Sequence, residues 1–430
     1  MPTNGSPQRQ DTGIEWRKCD LFSLRDTEAA LDNCDVAVYL VHSMMPQARL
    51  TQGKFEDIDL WLADNFARAS ANGGVRKIVY LSGIQPDKNA SPHLKSREEV
   101  EIALGAYGTP VIALRAGMVL GQGGSSFVMM KRLVENLPIM ICPAWTQTRS
   151  NPIDIQDVVE VISRVCLDDK IPSRSYDLGG PDTVTYLSMM QETAKVLGMK
   201  RLLIRFPYVH PGLSSLWVRL VTRSPKQLVN PLIMSLTCDM VPKDSTIWSR
   251  YNLRPKAFLE SLVSAIRADR ESRPIPQTSL GRAPTPGNLV VSIQRLPWAR
   301  GMKPFTVMNQ YFGWLRSAFG WFLRVRSTRL DTSSAVNEQW EISIAGILPA
   351  LTFCRKSARC TDTREILEIT TGLLAGQDDG KMPRFECRST MGGEAILMGI
   401  LDYKPRLPWR VYKYTQAVVH SLVMRAFSSR

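Results

Sequence analysis

From Trp16 to about Pro181 the chain alternates short apolar runs with longer amphipathic stretches. Val36-Ala37-Val38-Tyr39-Leu40-Val41, introduced by Asp35, is apolar and β-branched and reads as a buried strand. Between Phe55 and Ala71, Ile58, Trp61, Leu62, Asn65, Phe66 and Ala69 recur at helical spacing, and Gly73-Gly74 stops the helix. A strand over 77–82, a helix from about 92 to 106 and a strand over 111–115 continue the alternation. Strand–helix–strand order predicts an α/β fold: a Rossmann-like parallel sheet with helices on both faces.

The pattern then changes. Four prolines with Ser, Thr and Gly lie between Arg273 and Gly287, a linker composition. Beyond it, Met308 to Arg326 is aromatic-rich and reads as helix. Glu341–Cys354, Arg364–Leu374, Arg384–Thr390 and Glu394–Tyr403 read as successive strands, and Trp409 to Phe427 as a closing helix. An antiparallel meander with a terminal helix is an α+β domain, compatible by architecture with a helix-grip fold. The expected division is 1–265 for the Rossmann-like domain, 266–300 for the Pro-rich linker and 301–430 for the C-terminal α+β domain.

Composition narrows the function classes. With 430 residues, 44% hydrophobic and 22% charged, the chain has the make-up of an ordinary soluble globular protein with sizeable cores. No run reaches the roughly 18 apolar residues that span a bilayer. Met1 to Lys18 lacks the apolar stretch of a secretory signal, so the cytoplasm is the expected location. The eight cysteines are scattered, without a Cys-x-x-Cys pair, and four histidines accompany them. Free thiols are expected, and no metal site. The net charge is +14, and Lys404 to Arg430 holds six Lys/Arg and no acid. No nucleic-acid-binding module accompanies that charge, so nucleic acid is not an expected partner. A solvated basic face is one reading, and peripheral contact with an anionic membrane the other. Arg201–Met240, apolar with a basic rim, could share in that contact or pack as an interdomain segment.

The candidate chemistry lies in one stretch. Ile78-Val79-Tyr80-Leu81-Ser82-Gly83 is a strand that delivers Ser82 to the carboxyl edge of the sheet, where open α/β sheets bind ligands. Behind it, His93 and Arg97 stand four apart and share a helix face if Ser91 caps the helix with Pro92 in its first position. If Ser96 caps instead, in a box with Glu99, His93 falls in a loop. His93 could transfer a proton. Arg97 would depress its pKa and could donate to a ribose hydroxyl or phosphate. A surface histidine and a solvated arginine are the plainer alternative.

These pieces recur in a fixed order with others: Asp20-Leu21, Tyr39-Leu40-Val41-His42-Ser43-Met44, Leu114-Arg115-Ala116-Gly117-Met118-Val119-Leu120-Gly121, Asn151-Pro152-Ile153, Asp157-Val158-Val159 and Tyr176-Asp177-Leu178-Gly179-Gly180-Pro181. Together they resemble the atypical, extended short-chain dehydrogenase/reductases, NAD(P)-binding proteins akin to sugar-nucleotide epimerases and to the NmrA type. The nearest pattern is a subgroup with an extra C-terminal domain of unknown function, whose end Trp409-x-Val411-Tyr412-x-Tyr414 and His420 resemble. The resemblance implies an NAD(P)-dependent oxidoreductase. Ser82, His93 and Arg97 would then be catalytic, the last two standing where the family has Tyr and Lys. Asp20, Leu21, Leu40, Val41, Arg115 and Gly117 would lie along the cofactor. Trp145, Tyr208 and Trp217 could shape a substrate pocket, and Asp157 could cap a helix.

One departure weakens that expectation. The family opens with a strand, a Gly-x-x-Gly-x-x-Gly loop and a helix that cradle the pyrophosphate. Here the early glycines are Gly5 and Gly13, in a polar stretch. About one βαβ unit, on the order of 30 to 45 residues, is absent relative to the family, so poor dinucleotide binding is expected. Three readings stay open: an NAD(P)-dependent oxidoreductase acting on a small molecule, a non-catalytic Rossmann-fold regulatory or scaffold module, and a peripheral membrane or lipid-ligand-binding protein.

Overall fold

The computed structural model describes residues 13–43, 50–87, 90–206, 211–222, 226–271, 289–332, 335–376 and 381–430. Its first sheet is parallel and four-stranded, in the spatial order Val36–Tyr39, Lys77–Gly83, Val111–Ala116, Ser175–Leu178. Tyr39 lies opposite Tyr80, and Ser82 opposite Arg115. The expected elements form because both faces of these strands are apolar. Ile78, Tyr80 and Ala113 pack beneath Phe55–Asn72 and Pro92–Gly105. Val79, Ile112 and Leu114 pack against Val158, Val161 and Val165 of Ile155–Leu167 on the other face. Asp154, not Asp157, caps that helix, accepting from the Gln156 amide at 2.8 Å. Asp157 lies inside the first turn and accepts from the Lys256 amide.

The second sheet has eight strands. Leu323–Thr332, Ala335–Ile344, Leu348–Arg355, Arg364–Thr371, Arg384–Thr390 and Ala395–Tyr403 form an antiparallel meander, then come Val290–Arg295 and finally Leu50–Gln52. Three expectations need correction here. The helix expected over 308–326 is Pro304–Phe319, and the chain turns at Gly320 so that Arg324 and Arg326 stand in a strand. The single strand expected over 341–354 is a hairpin. Ala345 and Gly346, at φ of 52° and 73°, reverse the chain. The closing helix is two, Trp409–Tyr414 and Gln416–Ser428, broken at Thr415. Of the expected 266–300 linker, 258–271 is helix and 290–295 is strand, because both carry apolar faces. The Pro-rich stretch 272–288 lies outside the described residues.

The two sheets share the helix Phe55–Asn72. Every residue from Asp57 to Ser70 is buried, although the apolar positions occupy one stripe. Most of that stripe serves the parallel sheet, but Trp61 faces the second one, against Arg388 and Gly399. The opposite side lies on the second sheet, where strand alternation separates two faces. Phe385, Cys387, Ile396 and Met398 turn to Pro304–Phe319 and Gln416–Ser428. Leu397, Leu401, Val291 and Ile293 turn to the shared helix. The polar partners follow: Arg388 Nη1 donates to Asp64 Oδ2 at 3.0 Å and to Asn65 Oδ1 at 2.8 Å, while Nη2 pairs with Glu386. The Arg388 guanidinium stacks 3.6 Å from the centroid of the Trp61 ring. Arg68 reaches Thr363 and the Ser389 carbonyl, and Arg295 bridges Asp57 and Glu99. No helix among the described residues is long and apolar enough to cross a membrane.

Candidate functional site

At the carboxyl edge of the parallel sheet two environments meet, one polar and one apolar. Ser91 is the N-cap of Pro92–Gly105, accepting from the Leu94 amide, and Pro92 occupies the first position. Proline has no amide proton to leave unsatisfied there, which settles the helix start on Ser91 rather than Ser96. His93 and Arg97 therefore share a face one turn apart.

Arg97 Nη1 donates to the Tyr80 hydroxyl at 3.1 Å, and among the described residues no carboxylate lies within ion-pair distance of it. Asp59, from the shared helix, accepts from the Ser43 amide at 2.6 Å. Burial pushes its carboxyl up to about 6, against the opposing pull of Ser43 and Arg97. His93 is buried, and desolvation with the Arg97 charge brings its imidazole down to about 3, so it is neutral at pH 7. Its Nδ1 has no hydrogen-bond partner, nor does Ser82 Oγ in the neighbouring strand.

Next to His93 opens an apolar cavity of about 140 Å³. Met129, Met130, Met190 and Leu133 form much of its wall, with Gly83 and Gly117 at the sheet edge. Methionine suits such a wall because its unbranched, polarisable chain adapts to varied shapes. Gly117 keeps the backbone clear there; a Cβ would stand 3.2 Å from Ser150 Oγ. Trp145 and Tyr186 also line the cavity, their rings 6.4 Å apart. Trp145 Nε1 is buried without a partner, while the Tyr186 hydroxyl and Ser150 Oγ face one another. Two unpaired polar atoms, Trp145 Nε1 and His93 Nδ1, thus belong to residues that line one apolar space.

The other expected site residues lie apart. Asp20 pairs with Lys381, just ahead of the strand Arg384–Thr390, at 2.6 Å, and the Leu21 carbonyl accepts from Asn65 Nδ2 of the shared helix at 2.7 Å. Leu40 is 56% exposed beyond the edge strand, and Val41 is half-buried. Tyr39 is core, packed edge-on against Phe66. Arg115 is chelated by Glu101, with Nη2–Oε2 at 2.7 Å. Tyr208 and the Trp217 side chain lie outside the described residues. Sequence reasoning missed Asp59 and Tyr186. The signal for Asp59 was an acid inside a run that a helix could bury only with difficulty; Tyr186 had none.

A dinucleotide needs a cradle for its pyrophosphate, usually free amides at a helix start. The helix that follows the first strand, Phe55–Asn72, opens with Glu56 and Asp57, and Gly53 before it is pressed against the Ile293 carbonyl. The next helix opens with Pro92, and its free amide at Leu94 is already capped. Acidic side chains, a proline and a closed approach do not fit a pyrophosphate. Ser82, Tyr80, His93 and Arg97 could hold only the other end of such a cofactor. No cluster of His, Cys, Asp or Glu among the described residues could hold a metal, and all eight cysteines are free.

No family model matches this sequence. A curated relative, the auxiliary protein GraX of Staphylococcus aureus, is 37% identical over 101 residues. The match takes in 24% of this chain, which spans only 30% of the length of GraX. Among solved structures, a nucleoside-diphosphate-sugar epimerase from Staphylococcus aureus is similar at a TM-score of 0.47 and 15% identity, over 60% of this chain and 87% of that one. An NADPH-dependent quinone oxidoreductase from Escherichia coli, complexed with NADPH, gives 0.47 and 18%, over 58% and 83%. The UDP-glucose 4-epimerase of Thermus thermophilus, in complex with NAD, gives 0.44 and 16%, over 63% and 89%. Solved NAD(P)-binding epimerases and reductases are thus what this chain is similar to, over about three fifths of its length.

Proposed function

We propose that this chain is a short-chain dehydrogenase/reductase-like protein that binds a small, mainly apolar molecule carrying one hydrogen-bonding group, and that it acts as a binding module. The observation that carries this reading is the 140 Å³ cavity lined by Trp145 and His93, whose Nε1 and Nδ1 have no partner. An unpaired buried polar group costs about 1–3 kcal/mol, so two of them beside one space favour an occupant that pairs with one or both. A dry cavity of roughly 150 Å³ holds a benzene ring, which sets the size of the apolar part. GraX, whose description is auxiliary protein, is in keeping with a non-catalytic role.

Thermal unfolding with benzene and with benzaldehyde tests the proposal. Both are expected to raise the midpoint, benzaldehyde more, because its carbonyl accepts from a donor such as Trp145 Nε1. Met190→Trp, which fills the cavity, is expected to weaken binding at least about tenfold. Absence of stabilisation by either ring, or an unaltered response in Met190→Trp, would sink the reading.

A second reading, an NAD(P)-dependent oxidoreductase, is favoured by the placement of Ser82, His93 and Arg97 at the carboxyl edge beside that cavity. A neutral His93 is a weak proton donor at pH 7, and the starts of Phe55–Asn72 and Pro92–Gly105 do not fit a pyrophosphate. Titration of the whole chain with NADH and NADPH decides between the two: sub-millimolar binding would establish the second.

A further inference from the structure

The second sheet ends in an apolar tip. The turn Gly320-Trp321-Phe322 and the hairpin Ala345-Gly346-Ile347 lie side by side, joined by a 2.8 Å bond from the Ala345 amide to the Phe322 carbonyl. Four large apolar side chains project there: Trp321 is 85% exposed, Ile347 81%, Leu348 51% and Phe322 46%. The Trp321 and Phe322 rings stand 5.5 Å apart, so they form one patch. None of the four belongs to a buried cluster, so packing does not explain them.

The charge around the tip has one sign. From Pro304 to Thr328 the chain carries no acid, and Arg316, Arg324 and Arg326 lie in this span. Arg324 and Arg326 are exposed, and Arg324 lies against the hairpin turn at Gly346. Arg326 faces Glu341 in the next strand, further from the tip. Arg316 and Arg324 have no ion-pair partner among the described residues. The turn residues 345–351 are uncharged, and the whole chain is +14.

We propose that this tip docks on an anionic lipid bilayer, with Trp321, Phe322, Ile347 and Leu348 entering the interface and Arg316 and Arg324 meeting lipid phosphates. Indole and phenyl rings favour the headgroup boundary, and basic side chains flanking them add attraction to an anionic leaflet. A turn and a hairpin held by strand pairing enter without unfolding, because their backbone groups are largely satisfied within the sheet.

The test uses the full chain with vesicles of phosphatidylcholine, alone or mixed with phosphatidylserine. Sedimentation with the mixed vesicles at low salt is expected, with less on pure phosphatidylcholine and less again at high salt. Trp321→Ser with Ile347→Ser is expected to lower partitioning at least about tenfold while circular dichroism and the thermal midpoint stay unchanged, since both residues stand in solvent. Brominated lipids report the place of contact: they are expected to quench emission in the wild type and much less in Trp321→Phe. Absence of vesicle binding, equal binding by the double variant, or equal quenching in Trp321→Phe would overturn the proposal. So would binding that is lost instead in Leu422→Glu, on the exposed apolar stripe of the terminal helix.

Discussion

Two of the regions where this molecule buries polar groups do so under opposite conditions. Between the shared helix and the second sheet, Asp64, Asn65, Arg68, Glu386 and Arg388 are each hydrogen-bonded, and Arg384 and Arg364 complete the set around Glu386. At the carboxyl edge of the parallel sheet, His93 Nδ1, Ser82 Oγ and Trp145 Nε1 have no partner. The paired charges hold two sheets in register, although Trp61 Nε1, Ser70 Oγ and Thr390 Oγ1 among them lack partners. Unsatisfied burial beside empty space is where we propose a place for another molecule. Density of charge alone would have pointed to the wrong one.

The largest expected effect lies in the satisfied region. Arg388→Met leaves Asp64 and Glu386 short of a cation and is expected to cost about 3–5 kcal/mol in denaturant unfolding. A change under about 1 kcal/mol would mean that the network contributes little to stability. Acid should act here too. Burial alone would raise the Glu386 carboxyl, but Arg364, Arg388 and Arg384 hold it far below its usual 4.5. Its contribution is therefore complete above pH 4.5 and is lost as pH falls further.

His93 gives the next effect, with the sign reversed relative to a paired histidine. Its imidazole binds a proton near 6.5 when unfolded and only near 3 when folded. Stability due to it is therefore lost as pH drops below 6.5. Between pH 7 and pH 5 the loss is about 2 kcal/mol, and His93→Gln should not show it. Equal acid sensitivity in the variant would place His93 in water rather than in the buried edge.

Asp59 sharpens the contrast with the smallest change. Its folded carboxyl titrates near 6 against 3.8 unfolded, so it favours folding only while protonated. Asp59→Asn can still accept from the Ser43 amide, and is expected to stabilise by about 1–2 kcal/mol at pH 7. That gain should disappear toward pH 4. A loss of stability at pH 7 would show instead that Arg97 and Ser43 outweigh desolvation.

The parallel sheet was legible because its strands are apolar on both sides and its helices keep a strict period. The layout of Ser82, His93 and Arg97 at one edge was legible for the same reason. What sequence could not show is how the second sheet reuses the first unit. Leu50–Gln52 is a three-residue strand, too short to carry a period, and its partner Val290–Arg295 lies far along the chain. In Arg384–Thr390 alternation revealed a strand, but its Arg-Glu-Arg side reads as solvent-facing until Asp64 and Asn65 are placed against it. Ala345 hid a hairpin because alanine gives no warning of a positive φ. The cavity wall comes from Met129, Met130 and Met190, which patterning can assign only to core.

The strand Leu50–Gln52 also bears on how the protein is made. Its pairing with Val290–Arg295, like the bond of Arg388 to Asp64 across 324 residues, cannot form until most of the chain has left the ribosome. The shared helix therefore emerges early with one side fitted to a sheet that does not yet exist, and that side carries Asp57, Asp64 and Arg68 around the single large ring of Trp61. A growing chain that exposes charge rather than leucine while it waits is poor material for aggregation. Polar contacts between the sheets thus protect the nascent protein as well as joining its halves.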